Sequence, residues 1–405
     1  MPGASTAWAG AAPEVPAAQA RRERKPHICF VSPYLWPVLA RLPDVGIVGG
    51  AEVQQCILAR LFVRHGYRVS MVCNDYGQPE GAVVDGVRVH KTFRDRDGLP
   101  GLRFFHPRLT ALWRALGEAD ADIYYQRSAG MLTGVVAEFC RRRGRRSVFA
   151  GASDSDFERG REQIRFARDR WMYRYGLQRV DAIVAQNPNQ LAACRRHHGR
   201  DAVLIPSCYE LPPTARPGTG ELVLWVATIH PYKRPELVFE VARRLPHRRF
   251  VMIGGISTRG TRHDPSYYEG VRDAASRIPN VAFKGFLPLA EVETWFDRAR
   301  VFLNTSRLEG VPNTFMQAWA RGIPTVATVD IGARFGGQPV YEYVADAPAA
   351  AAALERLFDD RLRWARASAR VREYFEHSHS PQEALSRYER LFTALSAGPP
   401  ATGRQ

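Results

Sequence analysis

From Pro26 onward, short apolar runs alternate with segments in which apolar side chains recur every three or four residues. This alternation predicts the strands of a buried parallel sheet separated by amphipathic helices. In the first half of the chain, residues 32–50 form a predicted long loop between the first strand and the first helix. The predicted strands are 27–31, 68–73, 87–91, 122–125, 146–150, 181–185 and 202–205, and the predicted helices 51–65, 108–116 and 132–143.

The alternation stops at residues 209–220, which include Pro212, Pro213 and Pro217, and then restarts. A proline-rich stretch without periodicity predicts a linker. A predicted helix begins near Pro312, with proline in its first turn, and ends at Gly322. The other predicted elements of the second half are strands 222–227, 249–253, 281–284, 301–303 and 324–327, and helices 235–244, 289–299, 347–358, 361–375 and 380–395.

Two successive α/β halves around a linker predict two Rossmann-like domains that face each other across a cleft. Ligands of such sheets bind beyond the carboxyl ends of the strands. The predicted N-terminal domain covers residues 26–208 and the C-terminal domain residues 221–375, with a final helical segment at 376–397. The remaining segments, 1–25 and 398–405, are predicted tails, the first of them disordered because it is rich in Ala, Pro and Gly. His377 and His379 are expected on the surface, in a loop before the last helix.

Composition narrows the class of protein. The chain has 405 residues, 45% of them apolar, and it contains no run of the roughly 18–20 apolar residues that a membrane-spanning helix needs. Its net charge of +16 fits phosphorylated ligands, anionic membranes and nucleic acid alike. The six cysteines lie far apart and no pair has metal-ligand spacing, so we expect reduced thiols in a cytoplasmic protein.

Two stretches of the second half have candidate chemistry. Glu309 precedes the helix predicted near Pro312, and a helix N-terminus binds anions through its free N–H groups. Lys233 and Arg234 stand at the start of the helix predicted at 235–244. Lys233 is one of only four lysines among 57 basic residues, so a compact ammonium at this position is unlike the rest of the chain.

In the first half, Gly49 and Gly50 precede a helix, where glycines allow an anion to approach the backbone closely. An ordinary tight turn is the alternative. Asp154 and Asp156 follow the strand predicted at 146–150, and each is either a cleft residue or a helix cap.

Together, the sequences Gly49-Gly50-Ala51-Glu52-x-Gln54, Lys233-Arg234 and Glu309-Gly310-x-Pro312 resemble the family 4 retaining glycosyltransferases, the glycosyl transferases group 1 of GT-B fold. The resemblance implies that the C-terminal helix crosses back onto the N-terminal domain. It also implies that Lys233 contacts the donor diphosphate and that Glu309 contacts the donor sugar, with Asp154 a candidate in the N-terminal domain. The implied substrate-binding residues are Gly49, Gly50, Lys233, Arg234, Gly254, Phe286, Glu309, Gly310, Val311, Pro312, Asn313 and Gln317.

The chain departs from the family pattern at three places. Ala227 and Thr228 stand where Gly-Arg is usual, so Arg234 is the candidate for a second cation. Gln317 replaces a glutamate that contacts the nucleotide ribose, although an amide can also hydrogen-bond hydroxyls. No histidine follows the strand predicted at 146–150.

The resemblance implies transfer of a sugar from a nucleotide-diphosphate donor to a hydroxyl acceptor with retention, in cell-surface polysaccharide or glycolipid synthesis. It implies a saccharide or lipid-linked saccharide acceptor, and neither a metal nor another cofactor. The alternatives are a sugar-nucleotide epimerase and a non-catalytic scaffold that binds sugar or nucleotide. A nucleic-acid partner is not expected, because the basic residues are spread along the chain.

Residues 157–179 contain seven arginines and five aromatic residues, and residues 103–114 have a similar mixture. Basic aromatic helices can lie on anionic membrane surfaces. A solvated arginine-rich face over an apolar core stripe explains the same pattern. The sequence thus leaves peripheral membrane contact open.

Overall fold

The computed structural model describes residues 24–42, 49–94, 96–99, 104–218, 220–256 and 264–397. Within these ranges the chain forms two α/β domains, which confirms the predicted fold class. The predicted tails lie outside the described ranges, except for residues 24 and 25.

The N-terminal domain is built on an eight-stranded sheet. Its strands are β1 (Ile28–Val31), β2 (Val69–Cys73), β3 (Val83–Val84), β4 (Val87–Lys91), β5 (Ile123–Arg127), β6 (Arg146–Ala150), β7 (Ala182–Ala185) and β8 (Val203–Leu204). They lie in the order β3-β4-β2-β1-β5-β6-β7-β8, and all pairs are parallel except β3 with β4. The central strands β1, β2 and β5 are buried at every residue, as the continuous apolar runs predict.

Helices cover this sheet. They are α1 (Leu35–Leu39), α2 (Gly50–Arg64), α3 (Thr110–Ala119), α4 (Met131–Arg143), α5 (Ala167–Leu177) and α6 (Pro188–His198). The prediction of an uninterrupted loop at 32–50 was wrong, because α1 lies within it and buries Leu35 and Leu39 completely. The helix predicted from residue 108 begins at Thr110 because a π-helical turn, Phe104–Leu109, precedes it.

The C-terminal domain has a six-stranded parallel sheet and a two-stranded hairpin. The strands are β9 (Leu222–Val226), β10 (Arg249–Ile253), β11 (Val281–Phe283), β12 (Ala299–Asn304), β13 (Thr325–Ala327), β14 (Arg334–Phe335), β15 (Gln338–Pro339) and β16 (Glu342–Tyr343). The sheet order is β11-β10-β9-β12-β13-β16, and β14 pairs with β15 in the hairpin. Since β9 and β12 are parallel neighbours, the loops that follow them meet at one edge of the sheet.

The helices of this half are α7 (Pro235–Arg244), α8 (Pro265–Ser276), α9 (Leu289–Phe296), α10 (Asn313–Ala320), α11 (Ala347–Asp359), α12 (Arg361–His379) and α13 (Pro381–Ser396). The opening of α10 at Asn313 matches the helix predicted near Pro312, with the proline in the N-cap position. Helix α7 has the predicted bounds.

The last helix, α13, packs on the N-terminal domain. Tyr388 and Phe392 contact the Phe62 ring with centroid distances of 5.6 and 5.5 Å, and the hydroxyl oxygens of Tyr125 and Tyr388 are 3.0 Å apart. Helix α13 begins after Ser380, whose side chain accepts a hydrogen bond from the Glu383 N–H. The predicted return of the C-terminal helix onto the first domain is therefore confirmed.

The two places where the chain passes between the domains are hydrogen-bonded to each other. The Tyr209 N–H donates to the His379 carbonyl at 3.1 Å, and His379 Nδ1 lies 2.6 Å from the Ser207 carbonyl oxygen. The prediction that His379 lies on the surface was wrong: it is 1% exposed at the end of α12, because the linker covers it. His377 is exposed as expected, but both histidines lie in α12 and not in a loop, because the helix runs on to His379.

All six cysteines are buried and none forms a disulfide, which agrees with the prediction of free core thiols. Burial raises the pKa of Cys29 and of Cys56 to about 12. Among the residues that the structure describes, no helix combines the length and the apolar character needed to cross a membrane.

Candidate active site

Lys233 and Glu309 form an ion pair at the carboxyl edge of the C-terminal sheet, where the loops after β9 and β12 meet. Their side chains are 13% and 12% exposed. Lys233 ends a short 3-10 turn that begins at Pro231, and its ammonium lies 4.9 Å from the centre of the Tyr232 ring. The structure thus brings together the two residues that the sequence singled out for diphosphate and sugar contact.

Hydrogen bonds fix the two loops to each other. The Thr305 hydroxyl donates to the Lys233 carbonyl at 2.6 Å and accepts from the Trp225 indole N–H at 2.9 Å. The Arg307 N–H donates to the Tyr232 carbonyl at 2.9 Å. Because Trp225 lies in the buried strand β9, the ion pair is attached to the core of the domain.

The carboxylate of Glu309 is held at one oxygen. Oε1 accepts from the Ser306 hydroxyl at 2.6 Å as well as from Lys233, while Oε2 accepts no hydrogen bond from the described part of the chain. One carboxylate oxygen is therefore oriented by the protein, and the other can accept hydrogen bonds from a ligand's hydroxyl groups.

Arg234 follows Lys233 directly and occupies the N-cap position of α7. Its backbone is left-handed, with φ of +50°, which ends the 3-10 turn before Pro235 begins the helix. The residue is half-buried, and no carboxylate within the described ranges forms an ion pair with it. Arg234 therefore stays the candidate for a second positive charge next to Lys233.

The glycine loop of the N-terminal domain meets the loop of Glu309 across the cleft. Gly49 caps α2 and Gly50 opens it. The Gln54 amide nitrogen donates to the Asn313 side-chain oxygen at 2.8 Å, and a Cβ on Gly50 would lie 3.5 Å from the Asn313 amide nitrogen. Because Asn313 is the first residue of α10, two helix N-termini with their partial positive charges converge here.

A second contact across the cleft joins Gly310 to the loop after β6. A Cβ on Gly310 would lie 2.9 Å from the Ala152 carbonyl oxygen and 3.5 Å from the Ser153 Cα. Only a residue without a side chain permits this approach of two backbones. Val311 and Pro312 complete the loop and are half-buried. The Glu309 loop thus faces the turn that contains Asp154.

Asp154 is held by two amides of the N-terminal domain. Asn187 Nδ2 donates to its carboxylate at 3.1 Å and Gln190 Nε2 at 2.9 Å, and burial raises the pKa of this carboxyl group.

Asp156 is a cap, which is one of the two roles expected from the sequence. Its carboxylate accepts from the backbone N–H groups of Ala152 and Ser153. Burial raises the pKa of Asp156 to about 6.

Three backbone segments after β9, β10 and β11 touch at the same edge. A Cβ on Gly254 would lie 2.0 Å from the Ala227 carbonyl oxygen, and the Gly254 N–H donates to the Gly285 carbonyl at 2.9 Å. Phe286 follows Gly285 with its side chain 56% exposed. The structure therefore places Gly254 and Phe286 side by side, in loops beyond the strands' carboxyl ends.

Gln317 lies elsewhere, in a buried network inside the domain. Its amide nitrogen donates to Glu293 Oε1 at 2.6 Å, and it is 4% exposed. Glu293 also accepts from the Tyr209 hydroxyl at 2.7 Å and from Arg321 at 2.7 Å. Since the Gln317 amide is engaged in this network, the structure does not bring it to the surface that holds Glu309.

Four supporting residues were not predicted from the sequence: Ser306, Thr305, Asn187 and Gln190. Thr305, Asn187 and Gln190 are polar residues whose partners are distant in sequence, whereas Ser306 bonds Glu309 three positions away. Gln54 was visible as the last residue of the glycine motif, but its bond to Asn313 spans 259 positions. The sequence offered no signal for these pairings.

Two family models match the chain, one in each domain. "Glycosyl transferase 4-like domain" matches residues 49–208, and "Glycosyl transferases group 1" matches residues 220–360. A search of curated protein sequences gave no match. Each residue pair that meets across the cleft has one member in each matched segment, as Gln54 with Asn313 and Ala152 with Gly310.

Solved structures share the fold over nearly the whole chain. Sucrose-phosphate synthase from Thermosynechococcus elongatus is 20% identical with a TM-score of 0.74, covering 93% of this chain and 100% of that one. HepE from Anabaena, in complex with UDP and glucose, is 14% identical with a TM-score of 0.67 and coverage of 91% and 99%. The catalytic domain of starch synthase IV from Arabidopsis thaliana, bound to ADP and acarbose, is 15% identical with a TM-score of 0.65 and coverage of 92% and 100%.

The family models identify the chain, and these structures share its two-domain architecture. The protein therefore belongs to the group 1, family 4 glycosyltransferases and has their GT-B fold.

Proposed function

We propose that this glycosyltransferase moves a hexosyl group from a nucleoside-diphosphate sugar to a hydroxyl acceptor with retention of anomeric configuration. The observation that supports this most is the pairing of Lys233 with Glu309 at a cleft lined by two helix N-termini. A cation beside helix N-termini suits a diphosphate, and a carboxylate with one unoccupied oxygen suits sugar hydroxyls.

The ligands of the structural relatives support the donor class. HepE was crystallised with UDP and with UDP-glucose, and starch synthase IV with ADP and acarbose. In this chain, Lys233 and Arg234 would contact the diphosphate, and Gly254 and Phe286 would border the nucleoside. Gln317 would support the site from within the domain and not touch the ribose, because its amide is bonded to Glu293.

The proposed reaction is a front-face displacement. The bond between the anomeric carbon and the diphosphate oxygen breaks, and the acceptor oxygen bonds to the same face of that carbon. The acceptor's hydroxyl proton passes to an oxygen of the leaving diphosphate. Lys233 stabilises the charge that develops on this leaving group, and Glu309 orients the sugar.

Asp154 would complete the site from the N-terminal side, since its turn faces Gly310. Burial raises the pKa of its carboxyl group, and its oxygens can accept hydrogen bonds from a sugar or acceptor hydroxyl. Gly49 and Gly50 would leave room for the donor phosphates and the acceptor. We propose a saccharide or lipid-linked saccharide as the acceptor, and neither a metal nor another cofactor. The reaction would serve the synthesis of cell-surface polysaccharide or glycolipid in the cytoplasm, at an anionic membrane.

Calorimetric titration with UDP, ADP, GDP and the corresponding hexose donors tests the proposal, followed by donor hydrolysis in the presence and absence of EDTA. We expect one nucleoside diphosphate to bind and its sugar donor to be hydrolysed slowly, with the released sugar first in the anomeric configuration of the donor. Failure of all the nucleotides to bind would reject the proposal. Binding without turnover would favour the non-catalytic scaffold, and reversible conversion of the donor into an isomer would favour an epimerase.

A further inference from the structure

The N-terminal domain exposes a cluster of aromatic and basic side chains, here called the aromatic–arginine face. Phe105, Phe166 and Trp171 are 62%, 55% and 66% exposed, which is far more than large apolar side chains usually show. They lie on the turn before α3 and on the first half of α5. The face also includes Arg165, Arg168, Tyr175 and Arg179.

Ring contacts join the two segments into one surface. The Arg168 guanidinium lies 3.6 Å from the centre of the Phe104 ring, and Phe104 packs edge-on against Phe105 at 5.1 Å. The Arg165 guanidinium lies 5.3 Å from the Phe166 ring centre. The contact of Arg168 with Phe104 therefore joins the turn that holds Phe105 to helix α5.

Helical periodicity explains why these side chains point outward. Arg168, Trp171 and Tyr175 are three and four residues apart and so share one face of α5. Trp171 stacks on Tyr175 at 5.5 Å. The opposite face is fixed: a Cβ on Gly176 would lie 2.4 Å from the Thr133 carbonyl carbon in α4, so this helix cannot rotate its aromatic face inward.

The face is strongly cationic. Residues 157–179 contain seven arginines and three acidic residues. Three of the arginines pair with these acids, as Arg161 with Glu158, Arg168 with Asp169 and Arg174 with Glu162. The structure shows no carboxylate partner within its described ranges for the exposed Arg159, Arg165 and Arg179.

We propose that the aromatic–arginine face docks on an anionic phospholipid surface. Exposed rings partition to the level of the lipid headgroups, and arginines near an anionic bilayer add electrostatic attraction. A nucleic acid fits less well, because its bases need free ring faces. Here Arg168 covers Phe104, and Trp171 and Arg179 cover Tyr175.

The helix that holds this face is hydrogen-bonded to a turn of the candidate active site. The Tyr173 hydroxyl in α5 donates to the Asp156 carbonyl at 2.5 Å, in the turn that faces Gly310. Docking through α5 would therefore hold the enzyme at a surface where a lipid-linked acceptor is present. This advantage rests on the proposed function, whereas the docking itself does not require transferase activity.

Vesicle flotation of the full chain tests the proposal, with phosphatidylcholine vesicles compared with vesicles that also contain phosphatidylglycerol. We expect flotation only with the anionic vesicles, and release at high salt. Two variants remove the two components of the face: Phe166→Ala with Trp171→Ala, and Arg165→Glu with Arg168→Glu. Each is expected to weaken binding by about tenfold or more.

The control variant changes a similar pair on α12 of the C-terminal domain, Leu362→Ala with Arg366→Glu, where Leu362 is 69% exposed. It should float like the wild type. Thermal melting and nucleoside-diphosphate binding of each variant report whether it is folded.

Absence of flotation at low salt would overturn the proposal, as would equal flotation of all the variants. Loss of vesicle binding alongside tight, face-dependent binding of heparin would reassign the face to a soluble polyanion. Vesicle binding by a protein that binds no nucleotide would sustain the docking while rejecting the proposed function.

Discussion

Lys233 and Glu309 are 76 residues apart in sequence but form a charge pair at the mouth of the cleft. In the proposed reaction, Lys233 contacts the diphosphate and Glu309 the sugar. The donor's phosphate must then compete with Glu309 for the ammonium. The pair holds both side chains in place before the donor arrives, which reduces the entropy lost on binding.

Replacing Lys233 by Ala should lower kcat by about a hundredfold or more, because the charge that develops on the leaving diphosphate loses its nearest ammonium. The domain should stay folded, since the Lys233 carbonyl keeps its bond from Thr305 and the Glu309 carboxylate keeps its bond from Ser306. Donor turnover and circular dichroism of the same sample check both statements. Lys91→Ala removes a lysine with ion pairs in the other domain and is the matched control. Full turnover in Lys233→Ala would remove the diphosphate role.

Replacing Glu309 by Gln should separate binding from transfer. The amide keeps the bond to Ser306 but no longer competes for Lys233, so nucleoside diphosphate should bind at least as tightly as in the wild type. Sugar transfer should fall by about tenfold to a hundredfold, because a neutral amide grips sugar hydroxyls and stabilises positive charge more weakly. Titration with the diphosphate and a transfer assay measure the two effects. Weaker diphosphate binding in this variant would argue against competition for Lys233.

Gln317→Glu should destabilise the C-terminal domain by about 3 kcal/mol. The change sets a second carboxylate against Glu293 in a buried site and removes the amide N–H that Glu293 accepts. Arg321 is already paired with Glu293 and Asp297 and cannot neutralise a further charge fully. Urea unfolding measures the loss, and Gln338→Glu on the exposed hairpin is the control. Unchanged stability would mean that the Gln317 side chain does not occupy this network.

The sequence predicted most strands because they are buried on both faces and therefore continuously apolar. Strand β10 and helix α7 have the predicted bounds. It did not predict α1, because five residues are too few to show a helical period. The hairpin β14–β15 is likewise too short, with two residues in each strand.

For the site, the sequence predicted the residues but not their partners. Lys233 and Glu309 were identified separately, and only the adjacency of β9 and β12 makes them a pair. The wrong prediction for His379 has the same origin: its environment comes from Ser207, just before the linker and 172 positions away. A polar residue such as Gln317 is expected on the surface of its helix, but the packing of α9 on α10 buries it.

Gly310→Ala should impair closure of the two domains. The new methyl group would lie 2.9 Å from the Ala152 carbonyl oxygen, and because both partners are backbone, neither can move aside at low cost. We expect transfer to fall while nucleoside-diphosphate binding to the C-terminal domain changes little. Small-angle scattering with the diphosphate bound should show a larger radius of gyration than the wild type. Gly270→Ala in α8, where nothing lies within 4 Å and the backbone is helical, controls for the loss of a glycine. An unchanged radius and full transfer would place the contact outside the working conformation.

His379→Asn should make stability less dependent on pH. Burial lowers the pKa of His379 to about 4, against its ordinary value of 6.5, so the native state stays neutral at a pH where the unfolded chain binds a proton. The free energy of unfolding therefore falls as pH decreases from 6.5 to 4, by up to about 1.4 kcal/mol per pH unit from this residue. The variant's amide can still donate to the Ser207 carbonyl but does not titrate.

His27 acts in the same direction, because burial lowers its pKa to about 4 as well. Asp156 acts in the opposite direction: its pKa is raised to about 6, so protonation stabilises the native state as pH falls toward 3.8. Only the difference in pH dependence between the variant and the wild type therefore isolates the contribution of His379 to stability. Urea unfolding at several pH values should give a shallower slope in His379→Asn, and the exposed His377→Asn should keep the slope of the wild type. Equal slopes in all three proteins would mean that His379 becomes protonated in the native state without breaking its bond to Ser207. The two segments that pass between the domains would then separate more easily than their burial implies.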